Sequence, residues 1–381
     1  MTPILSYDDR QMRLTAADRS GLRPFLAAAH ARVERLRESG TQGFFDLPSD
    51  EPTIRLVEKL AKSVQAQFDH LVVIGIGGSD LGARTIWHAL GESKMSLTFV
   101  SNPDPETLYE VLAGTDWSRT AVNVVSKSGT TLETMAAFMA IRKRLIDAVG
   151  KEAHRAHVIV TTEPSEASSL YQIAVEESYA VLPHPMNVGG RFSVLSTVGL
   201  FPAAASGANV RKLLRGAGAI EAERRAKKTA SAPARFAANQ YLSMTKHGRD
   251  QHVLMPYADL LHELGFWYRQ LWAESLGKKR EGVSVGPTAI AAFGATDQHS
   301  QVQLYTEGPD NKTVTFVEVE TFRRTLRVPK VWGGKRGIEY VGGLSFADIL
   351  HAERAGTEHA LTKAGRASGT IFIPKITEET V

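Results

Sequence analysis

The chain has 381 residues, of which 43% are hydrophobic and 23% are charged, and its formal net charge is +4. This length suits about two to three domains with buried cores, and the composition is that of a globular protein. The sequence has no cysteine, which excludes disulfides, thiolate catalysis and cysteine-bound metals, and no run approaches the ~18 apolar residues of a membrane span.

The small positive charge favours anionic small molecules as ligands. We find no stripe of Lys and Arg interleaved with aromatic residues, so nucleic acid is not an expected partner. The first residues, MTPILSYDDRQMRL, lack the apolar stretch of a signal peptide, and we therefore expect a cytoplasmic protein without membrane contact.

Short apolar runs alternate with helical patterns along most of the chain. The first candidate strands lie at 70–76, 96–101, 120–125 and 157–161. Each interval leaves room for a crossover helix, which predicts a parallel sheet. A second series begins near residue 210, with helices at 213–226 and 235–246 and strands at 252–256, 313–318 and 369–373. The pattern predicts an α/β fold with two such sheets.

The domain limits follow from this alternation. The first 50 residues have the pattern of a helical arm that leads into the first sheet. The stretch AAASGANV at 203–210 is the expected join between the two sheets. We therefore predict an arm at 1–50, a first α/β domain at 51–205 and a second at 206–381.

The segment SKSGTT at 126–131 lies between the candidate strand 120–125 and a helical pattern over 132–146. A helix N-terminus presents backbone N–H groups and a partial positive charge to an anion. The segment adds four hydroxyls, one ammonium and a glycine that allows close backbone approach: Ser126, Ser128, Thr130, Thr131, Lys127 and Gly129. A Ser/Thr-rich helix cap is the alternative, but a cap needs only one hydroxyl. The pattern favours a site for a phosphate monoester.

The segment GIGGSDLG at 75–82 follows the first candidate strand. It fails as a dinucleotide fingerprint, since Asp80 stands where glycine is required, and it lacks the Gly-Lys-Ser/Thr ending of a P-loop. In a parallel sheet this turn and the one at 126–131 both open at the carboxyl ends of the strands, where ligands bind. Gly78 and Ser79 are therefore candidate ligand contacts, although a tight turn without function is the alternative.

The segment GGRFSVLS at 189–196 places two glycines before an arginine. Gly190 lets the backbone approach a ligand, and the guanidinium of Arg191 stays charged at any relevant pH. Apolar residues follow at once, so we expect Arg191 to head a buried helix. A surface arginine after a turn is the alternative.

The segment QLWAESLGK at 270–278 belongs to a helical pattern that begins near Leu260. Gln270 and Glu274 lie one helical turn apart on the same face. A carboxylate beside tryptophan and leucine side chains suits a general base. An exposed helix glutamate is the alternative.

The segment GATDQHSQ at 294–301 places His299 among polar side chains after a glycine. Imidazole readily exchanges a proton with a sugar hydroxyl near neutral pH. Elsewhere in the chain, the pair His262-Glu263 lacks the second histidine of a zinc-protease helix, so we expect no metal.

Taken together and in this order, the five segments resemble the phosphoglucose isomerase family, of the compact bacterial type. The resemblance spans residues 75–303. It implies two SIS-type domains, each a parallel sheet flanked by helices in a three-layer αβα sandwich. It also implies a homodimer whose active sites lie at the subunit interface.

The resemblance implies interconversion of glucose 6-phosphate and fructose 6-phosphate through a cis-enediol, without a metal or organic cofactor. Glu274 would move the proton, Arg191 would stabilise the enediolate, Gln270 would orient the substrate, and His299, from the neighbouring subunit, would assist ring opening. The sugar phosphate would be bound by residues of the two turns and the arginine segment: Gly78, Ser79, Ser126, Lys127, Ser128, Thr131 and Gly190.

The family ends in a helical region with a glycine-flanked lysine that works with the histidine. The printed sequence has no match to that region, and its last two lysines are Lys363 and Lys375. We therefore expect these 381 residues alone to isomerise slowly or not at all, while still binding sugar phosphate.

Three other functions fit parts of the pattern. A regulatory SIS module would bind sugar phosphate but does not need Glu274, Arg191 and His299 together. A dual glucose/mannose phosphate isomerase is compatible with the same motifs. A nicotinamide enzyme is disfavoured by the failed fingerprint.

Overall fold

The computed structural model describes residues 4–91, 93–334 and 337–381. Its strands, in chain order, are β1 (Ser6–Asp8), β2 (His70–Ile74), β3 (Ser96–Val100), β4 (Thr120–Val125), β5 (Val158–Thr162), β6 (Ala180–Pro183), β7 (Gln251–Pro256), β8 (Lys278–Arg280), β9 (Val283–Val285), β10 (Thr288–Ala291), β11 (Lys312–Val319) and β12 (Ala367–Ile373). The strands predicted at 70–76, 96–101, 120–125, 157–161, 252–256, 313–318 and 369–373 are confirmed to within a few residues.

The helices, in chain order, are α1 (Ala16–Glu38), α2 (Glu51–Gln65), α3 (Leu81–Leu90), α4 (Pro105–Gly114), α5 (Leu132–Val149), α6 (Ser169–Glu176), α7 (Thr197–Ser206), α8 (Val210–Lys227), α9 (Ala232–His247), α10 (His262–Leu276), α11 (Val302–Glu307) and α12 (Phe346–Lys363). Among the described residues, no helix combines the length and the apolar character needed to cross a membrane.

The chain forms two compact units. The central unit is Val33–Gly218, and the split unit joins Met1–Arg32 to Ala219–Val381. These limits differ from the predicted 1–50, 51–205 and 206–381, because the first residues of the chain pack with its second half.

The sheet of the central unit has the strand order β3-β2-β4-β5-β6, and all its pairs are parallel. Alternate residues of β2 face opposite sides of the sheet. Leu71 and Val73 join a core with residues of α2, α3 and α7, whereas Val72 and Ile74 join one with residues of α5 and α6. The predicted parallel sheet with helices on both faces is confirmed.

The sheet of the split unit has the order β1-β12-β11-β7-β10 and is parallel except for β1. On one face, Val253 and Val314 pack with Leu361 of α12. On the other face, Thr313 donates a hydrogen bond to Gln240 of α9 (2.7 Å). This unit therefore also has the predicted α/β architecture.

Strand β1 was not predicted, because the first 50 residues were expected to lead into the other sheet. Its residues Ser6–Asp8 pair antiparallel with β12. The following Asp9 forms ion pairs with Arg19 (2.9 Å) and Arg235 (3.1 Å) and accepts a hydrogen bond from Asn239. Burial acts to raise the pKa of Asp9, but hydrogen bonds from Asn239 and Arg19 leave this pKa below its ordinary value. The N-terminus is thus an integral part of the split unit.

The stretch expected to join the domains, 203–210, lies instead inside the central unit. Helix α7 is buried along its whole length, and the side-chain amide of Gln65 donates to the carbonyl oxygens of Ala204 and Ala205. Small side chains at the end of α7 permit this close packing. The limit between the units falls within α8.

Candidate active site

The turn at 126–131 connects β4 to α5 at the carboxyl edge of the central sheet. The Ser126 hydroxyl accepts a hydrogen bond from the Gly129 N–H (3.1 Å) and is hydrogen-bonded with the Thr131 hydroxyl (3.1 Å). Gly129 has φ +72°, and a Cβ there would lie 2.3 Å from the backbone nitrogen of Leu170. The glycine predicted to allow close backbone approach is therefore required by the turn itself.

Helix α5 begins at the end of this turn with a free N-terminus. Thr131 is the N-cap residue, and its side chain makes no capping hydrogen bond. The first N–H groups of a helix have no intrahelical acceptors. No described residue accepts a hydrogen bond from the backbone N–H of Lys127 or Ser128. The turn and the helix end thus present several donors to an anion.

The glycine-rich turn at 75–80 is in direct backbone contact with the arginine segment. The Ser193 hydroxyl lies within hydrogen-bond distance of the carbonyl oxygens of Gly78 (3.2 Å) and Gly190 (2.7 Å). A Cβ on Gly78 would lie 2.3 Å from the carbonyl carbon of Gly190. Ser79 is half-buried in the same turn. The structure therefore brings Gly78, Ser79 and Gly190 together.

Arg191 lies in the short 3₁₀ helix Gly190–Leu195, which leads into the buried helix α7, as the sequence predicts. Its guanidinium lies over the ring of Phe192, 4.4 Å from the centroid. Phe192 stacks in turn on Phe44, with ring centroids 4.7 Å apart. The aromatic pair supports the cation from one side.

Lys127 connects the turn at 126–131 to the loop before Arg191. Its Nζ donates hydrogen bonds to the carbonyl oxygens of Met186 (2.7 Å) and Val188 (3.1 Å). The carboxylate of Glu163 lies 3.9 Å from the same Nζ. These partners differ from the sugar phosphate that the sequence analysis expects for this ammonium.

Two residues of this region were not singled out from the sequence. Glu163 follows β5 and His184 follows β6, so both lie at the carboxyl edge of the sheet, and that position is the signal that could have found them. The backbone N–H of His184 donates to the carbonyl oxygen of Thr162 (2.7 Å). Burial lowers the pKa of the His184 imidazole, so that it is neutral near pH 7.

In the split unit, Gln270 and Glu274 form a pair on α10. The side-chain amide of Gln270 donates to Glu274 Oε1 (2.8 Å), and Glu274 is exposed within the chain. The same-face arrangement predicted from the spacing is therefore present. The structure brings this carboxylate together with the amide that the sequence analysis assigns to substrate orientation.

His299 follows the short 3₁₀ helix Thr296–Gln298 and is exposed. Asp297 stabilises this segment, because its carboxylate accepts hydrogen bonds from the Phe293 N–H (2.7 Å) and the Ser300 hydroxyl (2.5 Å). The Gln298 side chain donates to the carbonyl oxygen of Glu353 on α12 (2.9 Å). The imidazole is thus carried by a firmly held segment.

Glu274 and His299 lie toward opposite ends of strand β10 in the split unit. Helix α10 runs antiparallel to β10, with Gly265 beside Ala291 and Trp272 donating its indole N–H to the carbonyl oxygen of Pro287. Glu274 therefore lies near the start of β10, roughly 13 Å along the helix from Gly265. His299 follows the other end of β10. The unit does not bring these two candidate catalytic side chains together.

Within residues 4–91, 93–334 and 337–381, no group of three or more His, Asp or Glu side chains is arranged to hold a metal ion.

Residues 58–323 match the model of the phosphoglucose isomerase family. The glucose-6-phosphate isomerase of Carboxydothermus hydrogenoformans is 37% identical over 385 residues, covering 97% of this chain and 82% of that protein. The glucose-6-phosphate isomerase of Rubrobacter xylanophilus is 38% identical over 379 residues, covering 96% of this chain and 85% of that protein.

Solved structures have the same fold. A hypothetical protein from Thermus thermophilus matches with a TM-score of 0.91 and 35% identity, covering 99% of this chain and 90% of that one. A glucose-6-phosphate isomerase from Chlamydia trachomatis matches with a TM-score of 0.84 over 99% of this chain and 80% of that one, and at 22% identity this likeness shows the fold alone. The family match and the curated relatives together show that this chain belongs to the phosphoglucose isomerase family.

Proposed function

We propose that the chain is an aldose-ketose isomerase that interconverts glucose 6-phosphate and fructose 6-phosphate. The observation that carries the proposal is the gathering of the turn at 126–131, the turn at 75–80 and the Arg191 segment at one edge of the central sheet. The relatives named glucose-6-phosphate isomerase support the same reaction and do not favour the regulatory module.

The donors at the start of α5 are suited to the 6-phosphate. Backbone N–H groups of the turn and of the first helical turn would donate to the phosphate oxygens, together with the hydroxyls of Ser126, Ser128 and Thr131. The backbone of Gly78 and Gly190 and the hydroxyl of Ser79 would line the same site. A terminal phosphate held in this way anchors the sugar while its other end reacts.

Glu274 is the proposed general base. Its carboxylate would take the proton from C2 of the open-chain aldose and return it to C1, while the proton of the C2 hydroxyl moves to the oxygen on C1. Gln270, hydrogen-bonded to Glu274 Oε1 (2.8 Å), would orient the carboxylate and the substrate. The guanidinium of Arg191 would stabilise the negative charge of the enediolate. Since hydrogen only moves between adjacent carbons, the step needs no redox cofactor.

His299 is proposed to exchange the proton during ring opening. Its separation from Glu274 within the split unit supports a homodimer in which each site takes its histidine from the second copy. We also propose a cytoplasmic location.

The test is a coupled assay that converts fructose 6-phosphate to glucose 6-phosphate, run on the wild type and on Glu274→Gln. Loss of the general base should lower kcat by at least ~10²-fold, with little change in KM. The matched control is Glu263→Gln on the same helix, which should leave kcat near the wild-type value. Equal losses in Glu274→Gln and Glu263→Gln would contradict the proposal, and so would an inactive wild type that also fails to bind fructose 6-phosphate. Running mannose 6-phosphate in parallel decides between a strict and a dual isomerase.

A further inference from the structure

The ammonium of Lys127 has two of its three donors committed to protein groups. A lysine ammonium carries three N–H donors and no acceptor. Two of the donors have carbonyl partners, Met186 at 2.7 Å and Val188 at 3.1 Å. The third side of the ammonium faces the carboxylate of Glu163, 3.9 Å away, which offsets its charge. The Lys127 ammonium therefore offers a bound phosphate at most one N–H donor and a partly offset charge.

The loop that Lys127 contacts leads directly to Arg191. Met186 is 70% exposed, so apolar burial does not hold its part of the loop. The far side of the loop is fastened by Asn187, whose carbonyl oxygen accepts from the Gly43 N–H (3.2 Å) and whose side chain donates to Gly40 (2.9 Å). On its other side, the loop is held by Lys127 of the turn at 126–131, which we call the phosphate turn.

From these contacts we infer that Lys127 is a positioning residue. Its ammonium fixes the loop 186–188 and thereby holds Arg191 beside the phosphate turn. It does not bind the phosphate itself. The inference rests on the proposed function only in giving Arg191 a substrate to act on. Phosphate is then bound by the backbone of the turn and by hydroxyls, and the side chain of Lys127 joins two of the motifs into one site.

The experiment uses the full chain with Lys127→Met, which keeps the length of the side chain and removes its donors. The control is Lys143→Met, an exposed lysine on α5 that is paired with Asp147. Three quantities are measured: the Kd for inorganic phosphate, kcat and KM in the coupled assay, and hydrogen exchange of peptides covering residues 184–192.

We expect Lys127→Met to keep the phosphate Kd within roughly threefold of the wild type. Exchange in 184–192 should accelerate, and kcat should fall by at least ~10-fold, because small displacements of a reacting group cost large factors in rate. The kcat loss should also vanish when Arg191 is already alanine, since Lys127 acts through Arg191. Lys143→Met should match the wild type in all three measurements.

A phosphate Kd raised ~10-fold or more in Lys127→Met, or unchanged exchange in 184–192, would overturn the inference. If Lys127→Met does not fold, Lys127→Gln takes its place, since an amide retains donors for one carbonyl. Absence of isomerase activity in the wild type would bear on the proposed function alone, because the phosphate Kd and the exchange rates still decide the role of Lys127.

Discussion

A Cβ on Gly78 would lie 2.3 Å from the carbonyl carbon of Gly190 and 2.8 Å from the backbone nitrogen of Arg191. The two turns therefore meet backbone to backbone, and no side chain fits between them. The sequence indicates Gly78 as a contact of a ligand. The contact with Gly190 adds a second reason for glycine, which a single sequence does not reveal.

Gly78→Ala should lower the free energy of unfolding by about 1–3 kcal/mol, because the added methyl group forces the two turns apart. Urea unfolding followed by circular dichroism measures the change. Gly114→Ala at the end of α4 is the control, since a Cβ there meets nothing within 4 Å. Equal stability of Gly78→Ala and the wild type would show that the turns separate without cost.

At the scale of elements, the segment that carries His299 is fixed by its contacts with α12. The hydroxyl of Thr357 accepts hydrogen bonds from the buried Tyr257 (3.1 Å) and from the Gln298 side chain, and donates to the carbonyl oxygen of Glu353 (2.9 Å). Thr357 is about sixty residues from His299 along the chain. The short polar segment around His299 therefore derives its rigidity from a distant helix.

Thr357→Val should lower the free energy of unfolding by about 1–3 kcal/mol, since the Tyr257 hydroxyl loses its acceptor and the Gln298 amide loses one of its two. Hydrogen exchange in peptides covering 293–300 should accelerate at the same time. The control is Thr362→Val on the same helix, for which neither quantity should change. Unaltered exchange in 293–300 would mean that Asp297 and the Gln298–Glu353 hydrogen bond hold the segment without Thr357.

At the scale of the whole molecule, buried histidines connect stability to pH. Burial lowers the pKa of His252 to about 3, and it also lowers the pKa of His184. An unfolded histidine titrates near 6.5, so below that pH the unfolded chain binds protons that the folded chain does not. The stability contributed by the two neutral imidazoles is complete above the unfolded pKa and is lost as the pH falls.

The free energy of unfolding should therefore decrease between about pH 6.5 and about pH 5, by at most ~1.4 kcal/mol per pH unit for each of these histidines. Urea unfolding across this range measures the slope, which His252→Gln should reduce. His359→Gln, at an exposed position on α12, should keep the wild-type slope. A wild-type stability that is flat from pH 6.5 to 5 would contradict the neutral state of both imidazoles.

The sequence by itself determined the elements whose pattern is local. Apolar runs at 70–76 and 120–125 predicted strands of a parallel sheet, and the spacing of Gln270 and Glu274 predicted their contact on one helix face. Residue types, together with their place between a strand and the start of a helix, indicated an anion site at 126–131. These features depend on neighbours within one or two helical turns, or on the two-residue period of a strand, and both are visible in the chain as written.

Only the tertiary structure decided which distant segments meet. The pairing of β1 with β12, the burial of 203–206 in α7 and the partners of the Lys127 ammonium all depend on contacts between residues far apart in the chain. Many segments present free donors or an apolar edge, so their own sequence does not select a partner. The partner is selected by the sheet, because parallel strands carry their following loops to the same edge.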